Sequence, residues 1–287
     1  MPSRQYFRNG QNVVVSTARP GQRPSVRQYT PNMRGYSAVS RTLARVGQAG
    51  ITSSGGSSDE GVIMSTVLFD SIKTMSRITD SCLVAFSGGK ESVVVLDLCF
   101  KYFKHVQPYF QYWVPGLSFN EKLLKWYENK YDTEILRVPV ENTGAMFRYG
   151  IYTIPDPTFP VVSETDVWNY IRHETGIWWL AGGERINDSL MRRARIKNSS
   201  TIDVKSGRLF PVAMWKTREV YDYIKYHKLF LSKEQKILKH SLRIFQPADL
   251  LYIKQNLPED YEKIQHMFPL VGALTKRAEM GIEYGKE

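Results

Sequence analysis

The six residues Ser87-Gly88-Gly89-Lys90-Glu91-Ser92 place two hydroxyls, two bare backbone positions and one ammonium directly after the apolar run 82–86. Glycine tolerates positive φ and has no Cβ, so Gly88 and Gly89 let successive backbone N–H groups converge on an anion. The positive end of a following helix strengthens that field, and Lys90 adds a mobile charge. A bare Gly-Gly corner would need no ligand, but two serines and a lysine in the same turn point to phosphate. The spacing is neither GxxxxGK(S/T) nor GxGxxG. A second cluster lies in "AGGERINDSLMRRARI" (181–196), where Arg185, Arg192, Arg193 and Arg195 follow a Gly-Gly turn within eleven residues. Guanidinium forks match phosphate or sulfate oxygens two at a time. At helical spacing Arg192 and Arg195 share a face, with Ser189 one turn earlier. A solvated basic helix, or one contacting nucleic acid, is the plainer account of "RRAR"; the preceding "GGER" favours an oxyanion site.

These side chains need elements to hold them. The run 82–86 reads as a buried strand and 91–104 as the helix after it. A strand over 108–114, a helix over 121–131 and a strand over 134–140 follow. Ser163 and Asp166 form a capping pair that opens a helix over 163–174. Residues 177–183 read as another strand, and the chain is mostly helical from Thr217 onward. Alternation of this kind predicts an α/β fold: a doubly wound, mostly parallel sheet with helices on both faces, a helical C-terminal region and an extended basic N-terminal arm. In such sheets ligands collect where strands end and helices begin, which is where 87–92 falls. The expected division is a flexible arm and linker (1–61, with a short helix over 36–47), an α/β domain (62–230) and a helical extension (231–287).

The chain has 287 residues and a net charge of +11. Residues 1–60 hold eight arginines, no lysine and only Asp59 and Glu60 as acids, so this Pro-, Gly- and Ser-rich arm carries +6. It is suited to a polyanion or a protein partner. No apolar run approaches the ~20 residues of a membrane span, and no secretory h-region opens the chain. Its two cysteines, Cys82 and Cys99, sit in apolar segments and form no CxxC, which fits a reducing, cytoplasmic setting and argues against zinc or an iron–sulfur cluster.

The turn 87–92 resembles the PP-loop, SGGx(D/E)S, of the adenine-nucleotide α-hydrolase-like family. Residues 181–196 resemble the "GxRxxES..R" loop of its phosphoadenosine phosphosulfate (PAPS) reductase and ATP sulfurylase branch, through Gly183, Arg185, Ser189 and Arg192, with Asp188 in place of Glu. "LFPVAMWKTREVYDYI" (209–224) resembles a third block through Pro211, Trp215, Val220, Tyr223 and Ile224, and 114–128 resembles phage-encoded members, whose setting would be the host cytoplasm. The resemblance covers about 80–230. It implies an enzyme that binds ATP or PAPS with Mg²⁺ and acts at the α-phosphate, releasing pyrophosphate from ATP. The phosphates would lie along Ser87, Gly88, Gly89, Lys90 and Ser92, with Lys90, Arg185 and Arg192 as the catalytic cations. Glu91 either assists the metal or favours the helix N-terminus. Adenine would lie against Ala85, Phe86, Val114 and Gly116. The C-terminal cysteine that such reductases use is missing, since none follows Cys99. A sulfonucleotide reductase is therefore the second expectation. A nucleic-acid-binding or assembly protein that reuses the fold, with the arm as contact, is the third.

Overall fold

The computed structural model describes residues 5–8, 11–14 and 66–281. The expected helix over 36–47 and the linker 51–61 lie outside the described residues. Of the arm, β1 (Gln5–Arg8) and β2 (Gln11–Val14) are described, paired antiparallel. A 3-10 turn (Thr66–Phe69) leads to α1 (Asp70–Ser76), β3 (Ser81–Ala85), α2 (Lys90–Tyr102) and β4 (His105–Tyr112). Next come α3 (Ser118–Tyr131), β5 (Leu136–Pro139), α4 (Asn142–Tyr149) and α5 (Glu164–Thr175). The chain continues through β6 (Leu180–Ala181), α6 (Leu190–Ser199), β7 (Ile202–Asp203), β8 (Arg208–Leu209) and α7 (Thr217–Tyr226). It closes with α8 (Lys233–Leu238), α9 (Pro247–Asn256), α10 (Pro258–Met267) and α11 (Gly272–Glu279). No described helix is long and apolar enough to cross a membrane.

The chain folds as two compact units, each assembled from separated stretches. Among the described residues, a sheet unit takes 66–109 together with Arg172–Phe230, and a helical unit takes 5–8, 11–14, Phe110–Ile171 and Leu231 onward. Residues 110–171, expected to share a domain with the 87–92 turn, thus cluster with the C-terminal helices.

In the sheet unit the strand order is β4-β3-β6-β8-β7, parallel except for β7. This is the doubly wound, mostly parallel α/β fold that the alternation of elements predicts. β3 is central, and Cys82, Leu83 and Val84 are at most 1% exposed, which is why the run is apolar without alternation. α2 is also buried nearly all round, from Ser92 to Cys99. Its three consecutive valines are poor helix formers, and burial outweighs that preference at about 1.5–3 kcal/mol per side chain. β3 pairs with β4 on one side and β6 on the other. The chain visits β4 first and returns to β6, so the sheet reverses direction at β3 and its crevice opens at the ends of β3 and β6.

A buried polar network ties α2 to α7. The Tyr223 hydroxyl donates to Asp97 (2.7 Å), and Lys101 Nζ reaches both Asp97 (2.7 Å) and the Tyr223 oxygen (2.9 Å). Burial, then the Asp97 charge, push the Tyr223 phenol well above its ordinary pKa, so it remains a donor.

The helical unit has its own apolar core, where Val114, Leu117 and Met146 meet Leu250, Ile253, Ile264 and Phe268. Asp260 is 1% exposed and accepts from the Ser118 amide and hydroxyl, capping α3 from 142 residues away. Arg137 of β5 pairs with Glu121 (3.0 Å) and Glu128 (2.7 Å) of α3.

Candidate active site

The turn between β3 and α2 stands at the switch point. Gly88 takes φ +73°, which only glycine adopts without strain, and Gly89 is the N-cap of α2. No side chain caps this helix. The first intrahelical bond is Val93 N–H to Gly89 O (2.9 Å), so the amides of the first turn point out of the helix end. Ser92 is 4% exposed; its hydroxyl donates to Gly89 O (2.9 Å) and accepts from Ser87 Oγ (3.2 Å). Ser92 therefore braces the turn from within, while Ser87 lies at the surface. Ala85 and Phe86 end β3; the Phe86 amide donates to Tyr109 O (2.9 Å), and its ring is 1% exposed.

The loop after β6 closes on this turn. A Cβ on Gly183 would stand 3.1 Å from Ser92 N and 3.2 Å from the Glu91 carbonyl carbon, so a bare backbone is needed for the two loops to touch. Arg185 is 6% exposed and fastens three segments. Its Nη2 lies 3.0 Å from Glu91 Oε1 and 2.9 Å from Asp188 Oδ1, its Nε donates to the same Asp188 oxygen (3.1 Å), and its Nη1 donates to Thr217 Oγ1 (3.1 Å). Asp188 also accepts from Arg192 Nη1 (2.8 Å). Glu91 Oε1 lies 3.0 Å from Lys90 Nζ as well. This oxygen is buried yet has no directed hydrogen bond, so charge alone holds it to its two cations.

The turn, Gly183 and Arg185 thus come together, with Arg192 linked through Asp188. Ser189 differs from its expected place on the arginine face: it is the N-cap of α6, and its hydroxyl accepts from the Arg192 amide (3.2 Å). Val114 and Gly116 belong to the helical unit. Val114 is buried in that unit's core, and the Gly116 carbonyl accepts from Lys263 (2.7 Å). Sequence reasoning missed Thr217 as an Arg185 partner. It also missed Glu184, which pairs with Arg208 and lies 3.9 Å from Arg195. Both cysteines are free and buried; burial and then Cys82 push the Cys99 thiol above its ordinary pKa.

The expected Mg²⁺ does not fit at Glu91, because its carboxylate is already held by Lys90 and Arg185. Among the described residues no three His, Cys, Asp or Glu side chains gather as metal ligands.

No family model and no curated protein match the chain. Similar solved structures include the U34-tRNA thiolase NcsA from Methanococcus maripaludis with its 4Fe–4S cluster, at 16% identity and TM-score 0.39, covering 71% of this chain and 79% of that one. The NH3-dependent NAD synthetase from Campylobacter jejuni, in complex with nitrate, is 16% identical with TM-score 0.42, covering 75% and 91%. At these scores the likeness carries no inference about activity. The thiolase does correct one expectation: a similar solved structure holds an iron–sulfur cluster, so resemblance gives no ground for excluding one. A phage origin finds no support in these structures. The phosphoadenylyl-sulfate (PAPS) reductase from Candida auris, in a phosphate complex, is 15% identical with TM-score 0.38, covering 63% of this chain and 95% of that one.

Proposed function

We propose that the turn 87–92 holds the phosphates of an adenine nucleotide, ATP or PAPS, and that the chain is an enzyme acting at the α-phosphate. The observation that carries this reading is the uncapped first turn of α2, set at the sheet's switch point between Lys90 and Arg185. The amides of that turn and Lys90 Nζ meet the phosphates, with Ser87 at the rim. Arg185 fixes the opposite wall and Arg192, with 49% of its side chain exposed, reaches the distal anion. Glu91 and Asp188 occupy these cations until phosphate displaces them. With ATP, an acceptor nucleophile bonds to the α-phosphorus as the bond to the bridging oxygen breaks, and pyrophosphate leaves. The chain's part is alignment and charge neutralisation. Both thiols are buried, which argues against a cysteine attacking a sulfonate and accords with a reducing, cytoplasmic setting.

Ligand-induced thermal shift tests the assignment. ATP or PAPS at about 100 times Kd should stabilise the fold by about 2.7 kcal/mol. Gly89 has φ −68°, which valine adopts, so Gly89→Val should fold and lose that shift. A variant that keeps the full shift refutes the assignment.

A further inference from the structure

Helix α6 contributes one side chain, Ile196, to a small core with Phe210 and Ala213. Leu190 and Met191 are 79% and 81% exposed. At 100° per residue, Leu190, Met191, Ala194 and the exposed Asn198 form the ridge opposite Ile196. Arg192 and Arg195 flank that ridge on one side, Arg193 and Lys197 on the other. The helix has no acid of its own; the acids near it are Asp188 and Glu184, at the bases of Arg192 and Arg195. Arg193 Nε makes only a long contact to Ile186 O (3.5 Å). The surplus is regional as well. Residues 172–230 hold twelve Lys and Arg against six Asp and Glu, whereas 110–171 hold five against eight.

We propose that the outward face of α6 is a docking surface for the phosphodiester backbone of a nucleic acid. Guanidinium forks on both flanks suit paired phosphate oxygens, and protruding Leu and Met side chains suit base faces, which an acidic protein would not supply. The face is joined to the nucleotide turn through Asp188, which touches Arg192 and, through Arg185, Glu91. Nucleic acid is then the acceptor class for that site, and this part of the inference rests on the nucleotide reading above.

The test uses the full chain, a fluorescent single strand of about twenty nucleotides and its duplex, and anisotropy across a salt series. Each phosphate contact contributes about 0.9 on the duplex, and about 0.7 on the single strand, to the slope of log affinity against log salt. Arg193→Gln with Lys197→Gln should lower the slope on the duplex by about two and weaken binding at 0.1 M salt by up to roughly fiftyfold. The ATP-induced thermal shift should not change. Met191→Asp, at a position free of packing, should weaken binding in the same direction. An unchanged slope in the double variant would assign all binding elsewhere, as to the arginine arm, and overturn the proposal. So would equal competition by polyglutamate of matched charge, which marks an acidic protein partner, or loss of the ATP shift in the double variant. Wild-type chain that binds the oligonucleotide with this slope but gains nothing from ATP supports the surface and sinks the nucleotide reading instead.

Discussion

Replacing Glu91 with glutamine should tighten nucleotide binding, although it removes two ion pairs. Glu91 Oε1 stands 3.0 Å from Lys90 Nζ and 3.0 Å from Arg185 Nη2, with side chains 24%, 18% and 8% exposed for Lys90, Glu91 and Arg185. Partly screened pairs of this kind contribute about 0.2–1 kcal/mol each, so the carboxylate costs an arriving phosphate about 1 kcal/mol in displacement. Its repulsion of the phosphate adds a comparable amount. Together these give about 1–2 kcal/mol, or roughly 5- to 30-fold in affinity. Calorimetric titration of wild type and Glu91→Gln with ATP and with pyrophosphate reads this directly. The ligand-free variant should melt slightly lower, because Arg185 loses one of its anchors. Weaker or unchanged ATP affinity in a folded variant would refute the exchange of carboxylate for phosphate. It would leave the nucleotide assignment itself to the glycine variant.

Three further outcomes follow from the geometry. Gly183→Ala puts a Cβ against backbone atoms of Glu91 and Ser92, so it should cost about 1–3 kcal/mol in urea unfolding and blunt the ATP-induced shift. Tyr223→Phe removes the donor to buried Asp97 and should cost about 1.5–3 kcal/mol by the same measurement; a loss below about 0.5 kcal/mol would mean the network is idle. Burial works to raise the Glu128 pKa, but the hydrogen bonds from Arg137 and the Ile135 amide outweigh it and hold the carboxyl below its ordinary value. The stability this gives is complete above the unfolded pKa and lost as pH falls through the folded one. Arg137→Met should therefore flatten the acid limb of the stability–pH curve, measured below about pH 5.

Much of the site was legible because its signals are local. The strand expected over 82–86 is β3, the helix over 91–104 is α2, and the capping pair forms as read, with the Ser163 hydroxyl donating to Asp166 (2.7 Å). The strand expected over 177–183 shrinks to Leu180–Ala181. Trp178 lies under the Arg172 guanidinium, 4.1 Å from its ring centroid, and against Gly207, and these contacts do not register in a period-two pattern. α4 and the β7–β8 pair were missed, since short elements carry too few residues to show a period. Arg185 was found by its motif, but its partner Thr217 was invisible, because a contact 32 residues away leaves no local trace. The same holds for His227, whose Nδ1 lies 3.2 Å from Lys101 Nζ, across 126 residues.

The three-way fastening of Arg185 also sets an order of events during synthesis. The 87–92 turn is made early, but Arg185 cannot complete its set of anchors until Thr217 has been translated. Between them the chain leaves the sheet unit after Tyr109 and re-enters it at Arg172. At about 5–20 residues per second, on the order of ten seconds separate the turn from its clamp. On the nucleotide reading proposed above, a ribosome-bound chain in that interval has the 87–92 turn without its opposing wall, so nucleotide capture would mark completed tertiary assembly rather than the motif alone.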